Sequence, residues 1–300
     1  MFDAYQMATD RICELLEQGV KPWAKPWTGK MNCGWSGIDG HPYTMLNQML
    51  LADPEKKYTS MDEFTADICG EWLTYNEAKK RGGNVKKGEH GRKVIFFKMV
   101  EKKGQEELPE DERKLVPIAS VSVVFKVSQC EGVEQKFHLD DDKMFDFNPD
   151  QNADVIANDY IDREGVIFKK GKQDRAYYTP ETDTVSIPLP EQFKDSAEYY
   201  STLFHELTHS TGHQSRLNRN LGCTFFGSQD YSQEELIAEI GSASICATLG
   251  IDTSGSMANS AAYIKDWLKA LKNDKKMIVS ASAKAEKAVR MIFNIKEESK

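Results

Sequence analysis

Apolar positions follow a helical period in several segments of this chain and a strand-like alternation in others. Helical spacing occurs at 1–19, 43–52, 60–69, 74–81, 196–211, 233–249, 257–272 and 280–294. Strand-like runs occur at Val94–Val100, Val121–Val127, 175–178 and 184–187. Because helices and strands are expected in both halves, we predict an α+β fold.

A polar stretch rich in Asp and Asn interrupts this pattern near the middle. Residues 141–158 include Pro149 and have the composition of a linker. The length of 300 residues is sufficient for about two ordinary domains. We therefore predict one domain at 1–140 and a second at 159–300.

The composition narrows the class of protein. A formal net charge of −8 argues against a surface that binds nucleic acid everywhere, although a local basic patch is compatible with it. No apolar run reaches the length of a transmembrane helix, and the first helix lacks the basic start of a signal peptide. The six cysteines include no Cys-x-x-Cys pair, so we expect reduced thiols in a cytoplasmic protein without a membrane partner.

The strongest chemical signal is the sequence His205-Glu206-Leu207-Thr208-His209 in a predicted helix. Positions i and i+4 lie on the same face of a helix, so both imidazoles can bind one metal ion. Glu206 then lies beside that ion, where it can remove a proton from an attacking water. We expect one Zn²⁺ per chain, or another divalent metal in its place.

The third ligand distinguishes subclasses of zinc peptidase. A metzincin would have histidine at position 215, where this chain has Ser215, and we expect His213 to be structural. The next helix resembles the gluzincin pattern, which implies Glu235 as the third ligand and Glu239 as the partner of a ligand histidine. If Ser232 instead caps that helix and Glu235 folds back onto it, Glu239 becomes the ligand.

Two further features belong to this half. Tyr231 can donate a hydrogen bond to a developing oxyanion, or it can be a packing residue. The strand at 184–187 precedes the metal-binding helix, and we expect it to be an edge strand that pairs with an extended peptide.

The first half carries candidate contacts to nucleic acid. Aromatic and basic residues alternate in Lys21, Trp23, Lys25 and Trp27, a pattern suited to base stacking and phosphate contacts. The alternative is that the tryptophans anchor the first helix. A second basic run includes Lys86, Lys87, Arg92 and Lys93 among glycines, and its alternative is a solvated hairpin edge.

Several segments in a fixed order resemble one known family. They are Arg11–Gly19, Pro22-Trp23, Pro26-Trp27, Trp72–Tyr75, Gly82-Gly83, Lys87–Glu89, His205–His213 and Ser215–Leu217. They resemble the ArdC antirestriction proteins of plasmids and other mobile elements, whose N-terminal half is related to TraC-type conjugative primases. The resemblance implies a single-stranded DNA-binding domain joined to a zincin-like metallopeptidase domain, acting as DNA enters a recipient cell.

Three functions are compatible with these residues. The first is an antirestriction protein that binds single-stranded DNA and cleaves an unidentified protein substrate. The second is a non-proteolytic DNA-binding protein with a structural metal site, which protects incoming DNA from host nucleases. The third is a metalloprotease of host regulators that has no role at DNA.

Overall fold

The computed structural model describes residues 3–23, 34–59, 61–101, 115–137, 149–219, 221, 229–251, 253 and 261–295. The helices are α1 (Ala4–Glu17), α2 (Met45–Leu50), α3 (Met61–Ile68), α4 (Tyr75–Lys80), α5 (Pro149–Glu164), α6 (Ser196–Ser210), α7 (Gln229–Thr248), α8 (Ala261–Asn273) and α9 (Met277–Ile292). The strands are β1 (Gly34–Ser36), β2 (Gly70–Thr74), β3 (Asn84–Val85), β4 (Arg92–Glu101), β5 (Leu115–Lys126), β6 (Cys130–Glu131), β7 (Ile167–Gly171), β8 (Tyr177–Thr179) and β9 (Thr184–Pro188).

The N-terminal half is built on a mixed sheet with the strand order β1-β2-β5-β4. The predicted hairpin is confirmed, since β4 and β5 pair antiparallel along their length. The pairing of β1 with β2 is parallel and needs a crossover, which α2 and α3 supply. The predicted helices of this half are confirmed as α1 to α4.

Two neighbouring amides of α2 cover backbone groups at both edges of this sheet. The Asn47 side chain donates to the carbonyl of Ile95 on β4 and accepts from its N–H, at 2.8 Å in each case. The Gln48 side chain does the same for Gly34 on β1, at 2.8 and 2.9 Å. Because unpaired edge groups attract other strands, these amides take the place of missing neighbours.

The C-terminal half contains a smaller sheet with the order β7-β9-β8. The strand predicted at 184–187 is β9, and the expectation that it is an edge strand is wrong, because β7 pairs with it on one side and β8 on the other. The edge strand next to α6 is β8. Strand β7 was not predicted, because its sequence lacks a clear alternation.

The predicted linker is partly helical. Helix α5 begins at Pro149, so 149–158 belongs to a regular element, while 141–148 lies outside the described residues. The buried positions of α5, namely Ala153, Ala157, Tyr160 and Ile161, recur at helical spacing and hold it against the core.

The two halves share one hydrophobic core. Helix α1 packs against α8 and α9, and α2 also packs against α9. One continuous cluster of buried side chains includes residues from α1, α2, α6, α7 and α9. The division into domains at 1–140 and 159–300 stays a prediction.

Two expectations drawn from composition can be compared with the structure. Cys69 forms a disulfide, so the expectation of reduced thiols is wrong at this position. Cys13, Cys130 and Cys246 are free, and Cys33 and Cys223 lie outside the described residues. None of the helices among the described residues combines the length and the apolar composition needed to cross a bilayer.

The edge-covering amides give a prediction about stability. Replacing Asn47 or Gln48 with leucine leaves a buried N–H and a buried C=O unpaired, at about 1–3 kcal/mol for each group. We expect Asn47→Leu and Gln48→Leu each to lower the free energy of unfolding in urea by about 2–6 kcal/mol. The exposed Gln214 supplies the control, since Gln214→Leu should leave stability nearly unchanged. Variants of Asn47 and Gln48 as stable as this control would contradict the interpretation.

Candidate functional site

Helix α6 holds the two histidines, and both of its ends are fixed. At its start the Asp195 side chain accepts the Glu198 N–H at 2.8 Å. At its end Arg216 donates to the Ser210 carbonyl and Arg219 to the Thr208 carbonyl, each at 2.8 Å. Cations at the C-terminus of a helix are favourable because the last carbonyls lack partners within the helix.

Helix α7 lies very close to α6. A Cβ atom added to Gly241 would lie 2.7 Å from the Thr208 side chain, so only glycine fits at this contact. The Ser242 hydroxyl donates to the Ser201 carbonyl at 2.6 Å and fixes the same contact. Helix α7 begins at Gln229, which places Ser232 inside the helix. The arrangement in which Ser232 caps the helix is therefore wrong.

This packing brings the three candidate metal ligands together. The Nε2 atoms of His205 and His209 lie 3.2 Å apart, and the Glu235 carboxylate lies 3.5 Å from the first and 3.6 Å from the second. Among the described residues these three form the group that could hold a metal ion, with ligand atoms all within 4.8 Å. The geometry favours Glu235 over Glu239 as the third ligand.

The other ring nitrogens also meet carboxylates. His205 Nδ1 lies 3.9 Å from Glu239, and His209 Nδ1 lies 3.2 Å from Glu234. Glu239 was predicted from the sequence and Glu234 was not. Partners of this kind fix the tautomer and the orientation of a ligand histidine. Each histidine thus has a carboxylate of its own in addition to the one that they share.

Each of these carboxylates is in turn paired with a cation. Arg219 donates to both oxygens of Glu234, at 3.0 and 2.8 Å. Lys21, from the N-terminal half, donates to Glu239 at 3.0 Å. Glu206 and Glu235 add two more carboxylates to Glu234 and Glu239. Together with the two cations, these four carboxylates give the cluster a net charge of −2 when both histidines are neutral. A divalent cation matches that charge.

The titration of the cluster reflects this surplus of negative charge. Burial alone would lower the pKa of His205, but its hydrogen bond to Glu235 and the charges of the nearby carboxylates raise it to about 9. Burial opposes ionisation of Glu235 and Glu234, yet hydrogen bonds from His205 and His209 respectively hold the pKa of each carboxyl below its ordinary value.

A cleft of about 350 Å³ opens onto these ligands. Glu206 and Tyr231 line it, together with Ala176, Tyr177 and Tyr178 at β8. The Tyr231 hydroxyl is hydrogen-bonded to Glu235. His213 lies outside the cleft lining and is 2.7 Å from the Ser215 hydroxyl, as expected of a structural residue.

The structure corrects part of the expected DNA contacts. Trp23 is 1% exposed and packs edge-on against Trp267, with ring centroids 5.6 Å apart. Lys21 is 2% exposed and forms an ion pair with Glu239. Burial excludes base stacking by Trp23 and phosphate contact by Lys21 in this structure, and the anchoring alternative describes Trp23 better. Lys25 and Trp27 lie outside the described residues.

The second basic run is divided between surface and interior. Lys86, Lys87 and Lys93 are exposed, and the Lys86 ammonium donates to the Ser128 carbonyl at 2.8 Å. Arg92 is buried and paired with Asp53 at 2.8 Å, so the expectation that it contacts DNA is wrong for this structure. Three lysines of this run thus lie at the surface, while Arg92 is buried and stabilises the fold.

The glycines of this run have structural roles. Gly82 and Gly88 have positive φ angles, which suit turns. A Cβ on Gly83 would lie 2.4 Å from the Glu131 carbonyl, so glycine is required there by packing. These contacts account for the glycines without a bound phosphate.

Two family models match the chain. Residues 2–125 match the N-terminal domain of the anti-restriction factor ArdC, and residues 156–284 match a zincin-like metallopeptidase. Among curated proteins, a DNA primase TraC of Escherichia coli is 31% identical over 94% of this chain, which spans only 26% of that relative. An uncharacterized protein of Sinorhizobium fredii is 28% identical over 95% of this chain and 89% of its own length.

Solved structures give a match over nearly the whole length. The metal-free crystal structure of the antirestriction protein ArdC from plasmid R388 is 34% identical, with a TM-score of 0.71 and coverage of 97% of both chains. The Mn(II)-bound structure of that protein is 33% identical, with a TM-score of 0.74 and coverage of 98% of both chains. On this evidence the chain belongs to the ArdC family of antirestriction proteins, with a zincin-like C-terminal half.

Proposed function

We propose that this chain binds single-stranded DNA and also hydrolyses peptide bonds at a zinc site held by His205, His209 and Glu235. The observation that carries the peptidase part is the convergence of these three side chains at a cleft that Glu206 also lines. The DNA-binding part is supported by the match of residues 2–125 to the ArdC N-terminal domain and by exposed cations in that half.

The donor set fits a catalytic zinc ion. Two imidazoles and one carboxylate are a common ligand set of catalytic zinc, and such sites keep a further position open for water or substrate. The Mn(II)-bound relative extends the proposal to other divalent ions. When bound, the ion would supply Lewis-acid chemistry, polarising the peptide carbonyl and making water more acidic.

The side chains of the cleft divide the remaining chemistry. Glu206 takes the proton from the attacking water and later delivers it to the amine that leaves. Tyr231 lies where its hydroxyl can turn from Glu235 to the oxyanion that develops on the carbonyl oxygen. Glu239 and Glu234 face the Nδ1 atoms of His205 and His209, which would orient both rings with Nε2 toward the metal position.

The substrate backbone is expected to lie along β8. This strand is at the edge of its sheet, and residues 176–178 line the cleft. An extended peptide that adds to a sheet edge is held by main-chain hydrogen bonds, with little demand on its sequence. Binding along β8 would bring the scissile carbonyl to the metal ligands.

The metal assignment predicts a graded series of affinities. His205→Ala, His209→Ala and Glu235→Ala should each abolish stoichiometric binding of Zn²⁺, because each removes a ligand. Glu234→Gln and Glu239→Gln keep the ligands but weaken their orientation, so we expect affinity to fall about 10- to 100-fold. Competition with a chelating dye, together with elemental analysis, measures both effects.

Glu191 supplies the matched control, since it is exposed and does not line the cleft. Glu191→Gln should bind the ion as wild type does. The ligand assignment would be wrong if the His205 and Glu235 variants retained one ion per chain with unchanged affinity.

The role of Glu206 gives a second prediction. Glu206→Gln should keep the metal and the fold but reduce peptide hydrolysis by about 10²- to 10⁴-fold, since proton transfer is lost while ligation is not. Cleavage of a peptide library, followed by mass spectrometry, measures the loss. Wild-type protein that carries zinc and cleaves nothing would instead favour the non-proteolytic function.

A third prediction concerns DNA and uses the full chain, because α1 packs against α8 and α9 and a fragment would lose that packing. Full-length protein should bind single-stranded DNA in preference to duplex, with affinity that falls as salt rises. Replacing both Lys86 and Lys87 with alanine should reduce the salt dependence, because fewer counterions are released. Fluorescence anisotropy at several salt concentrations measures both.

Lys169 and Lys170 on β7 provide the control pair, since they are exposed and belong to the other half of the chain. Their replacement should leave the salt dependence unchanged. Equal affinity for single-stranded and duplex DNA would mean that the protein binds DNA only through a nonspecific basic surface. Absence of binding at low salt would rule out the DNA-binding part of the proposal.

A further inference from the structure

A second cavity lies between the N-terminal sheet and α9. Its volume is about 410 Å³. Strand β4 and the segment from Ser36 to Asn47 line one side, and Val279, Ser282, Ala283 and Glu286 of α9 line the other. None of the metal ligands lines it, so it is distinct from the cleft described above.

Aromatic rings line this cavity, and another lies next to it. Phe96 and Tyr43 line it, with ring centroids 6.3 Å apart. Phe97, the next residue of β4, also lines it and lies 6.2 Å from Tyr5 of α1. Phe96 and Phe97 are 38% and 45% exposed, which is unusual for phenylalanines in a folded protein. Neighbouring exposed rings form an apolar patch of the kind that often binds a partner with an apolar face.

The cavity also contains polar groups that suit a ligand with N–H donors. The Ser282 hydroxyl is 1% exposed and has no hydrogen-bond partner within the described part of the chain. Buried hydroxyls are normally paired, so this atom points to an absent ligand or water. The Glu286 carboxyl lies one turn further along α9; burial raises its pKa, and one of its hydrogen bonds comes from the Met45 backbone N–H. Both groups can accept a hydrogen bond from an amino group.

We propose that this cavity receives one unstacked base of the single-stranded DNA, held by Phe96 and Tyr43 and hydrogen-bonded to Ser282 and Glu286. This proposal rests on the proposed DNA-binding function and names the residues that would bind a base. In the same arrangement Phe97 and Tyr5 form a stacking surface for a neighbouring base.

Charge distinguishes a base from a phosphate as the occupant. Asp39 and Glu286 line the cavity and would repel a phosphate placed inside it. Cations lie outside it, where the backbone of the DNA would run. Lys98 is exposed on β4, and the Lys276 ammonium lies 5.6 Å from the centroid of the Tyr5 ring. Aromatic rings inside and cations outside are typical of surfaces that bind single strands.

The test separates contacts to bases from contacts to phosphates. Two oligomers of about 12 nucleotides, one of deoxycytidine and one with abasic sites throughout, carry the same phosphates and differ in their bases. Wild-type protein should bind the deoxycytidine oligomer at least about tenfold more tightly. Phe96→Ala removes a ring, and Ala283→Leu narrows the cavity from an exposed position without adding a ring.

Both variants should lose most of this tenfold preference while binding the abasic oligomer as wild type does. A variant that simply misfolded would lose affinity for both oligomers. Ser282→Ala, which removes only the hydroxyl, should reduce the preference by a smaller factor and leave the fold intact.

Tyr75 is the matched control for Phe96. It is 50% exposed on α4, with the Lys79 ammonium 5.7 Å from its ring, and it lies outside the cavity lining. Tyr75→Ala should keep the preference. If Tyr75→Ala abolished it and the cavity variants did not, the base would bind on α4 and the cavity proposal would be overturned.

The remaining outcomes separate this proposal from the one on which it rests. Equal binding of the two oligomers by wild-type protein would refute the base cavity but leave DNA binding through phosphates intact. Failure of both oligomers to bind at low salt would refute the DNA-binding function itself.

Discussion

The metal site depends on how closely α6 and α7 approach. His205 and His209 can share an ion with Glu235 only if the two helices pack with almost no side chain between them. Gly241 makes this approach compatible with Thr208, since any Cβ would lie 2.7 Å from its side chain. Such a contact leaves little freedom for adjustment, because packed interiors resist small changes in volume. The positions of the ligands are therefore set by the fold before a metal binds.

The sequence predicts those parts of the site that follow from a single helix. The spacing of His205 and His209 is sufficient, because i and i+4 share a face whatever the rest of the fold does. The prediction of Glu235 came from resemblance to a known pattern, and the sequence left Glu239 open as the alternative ligand. Glu234 and its partner Arg219 could not be predicted, since their contact depends on how the chain between the two helices folds.

Predictions of the fold succeeded where the pattern was long and failed where it was short. Long amphipathic helices such as α1 and the hairpin β4–β5 were predicted well, because many residues repeat the same period. Strands β1, β3 and β6 have two or three residues each, too few to show an alternation. The N-terminal part of α5 was not predicted, because its many acidic and amide side chains have the composition of a linker. Ala153 and Ala157 nevertheless lie on its buried face.

The ion pair between Lys21 and Glu239 links two segments that lie 218 positions apart in the sequence. This ion pair has a consequence for recombination between related genes. A C-terminal half that was joined by recombination to a different N-terminal half would keep Glu239 but could lose the cation opposite it. The carboxylates around the histidines would then carry one more uncompensated charge, on the half-buried Glu239, and a charge that is partly removed from water without a partner is costly. We therefore expect exchange between lineages to preserve a cation at position 21, or to change positions 21 and 239 together.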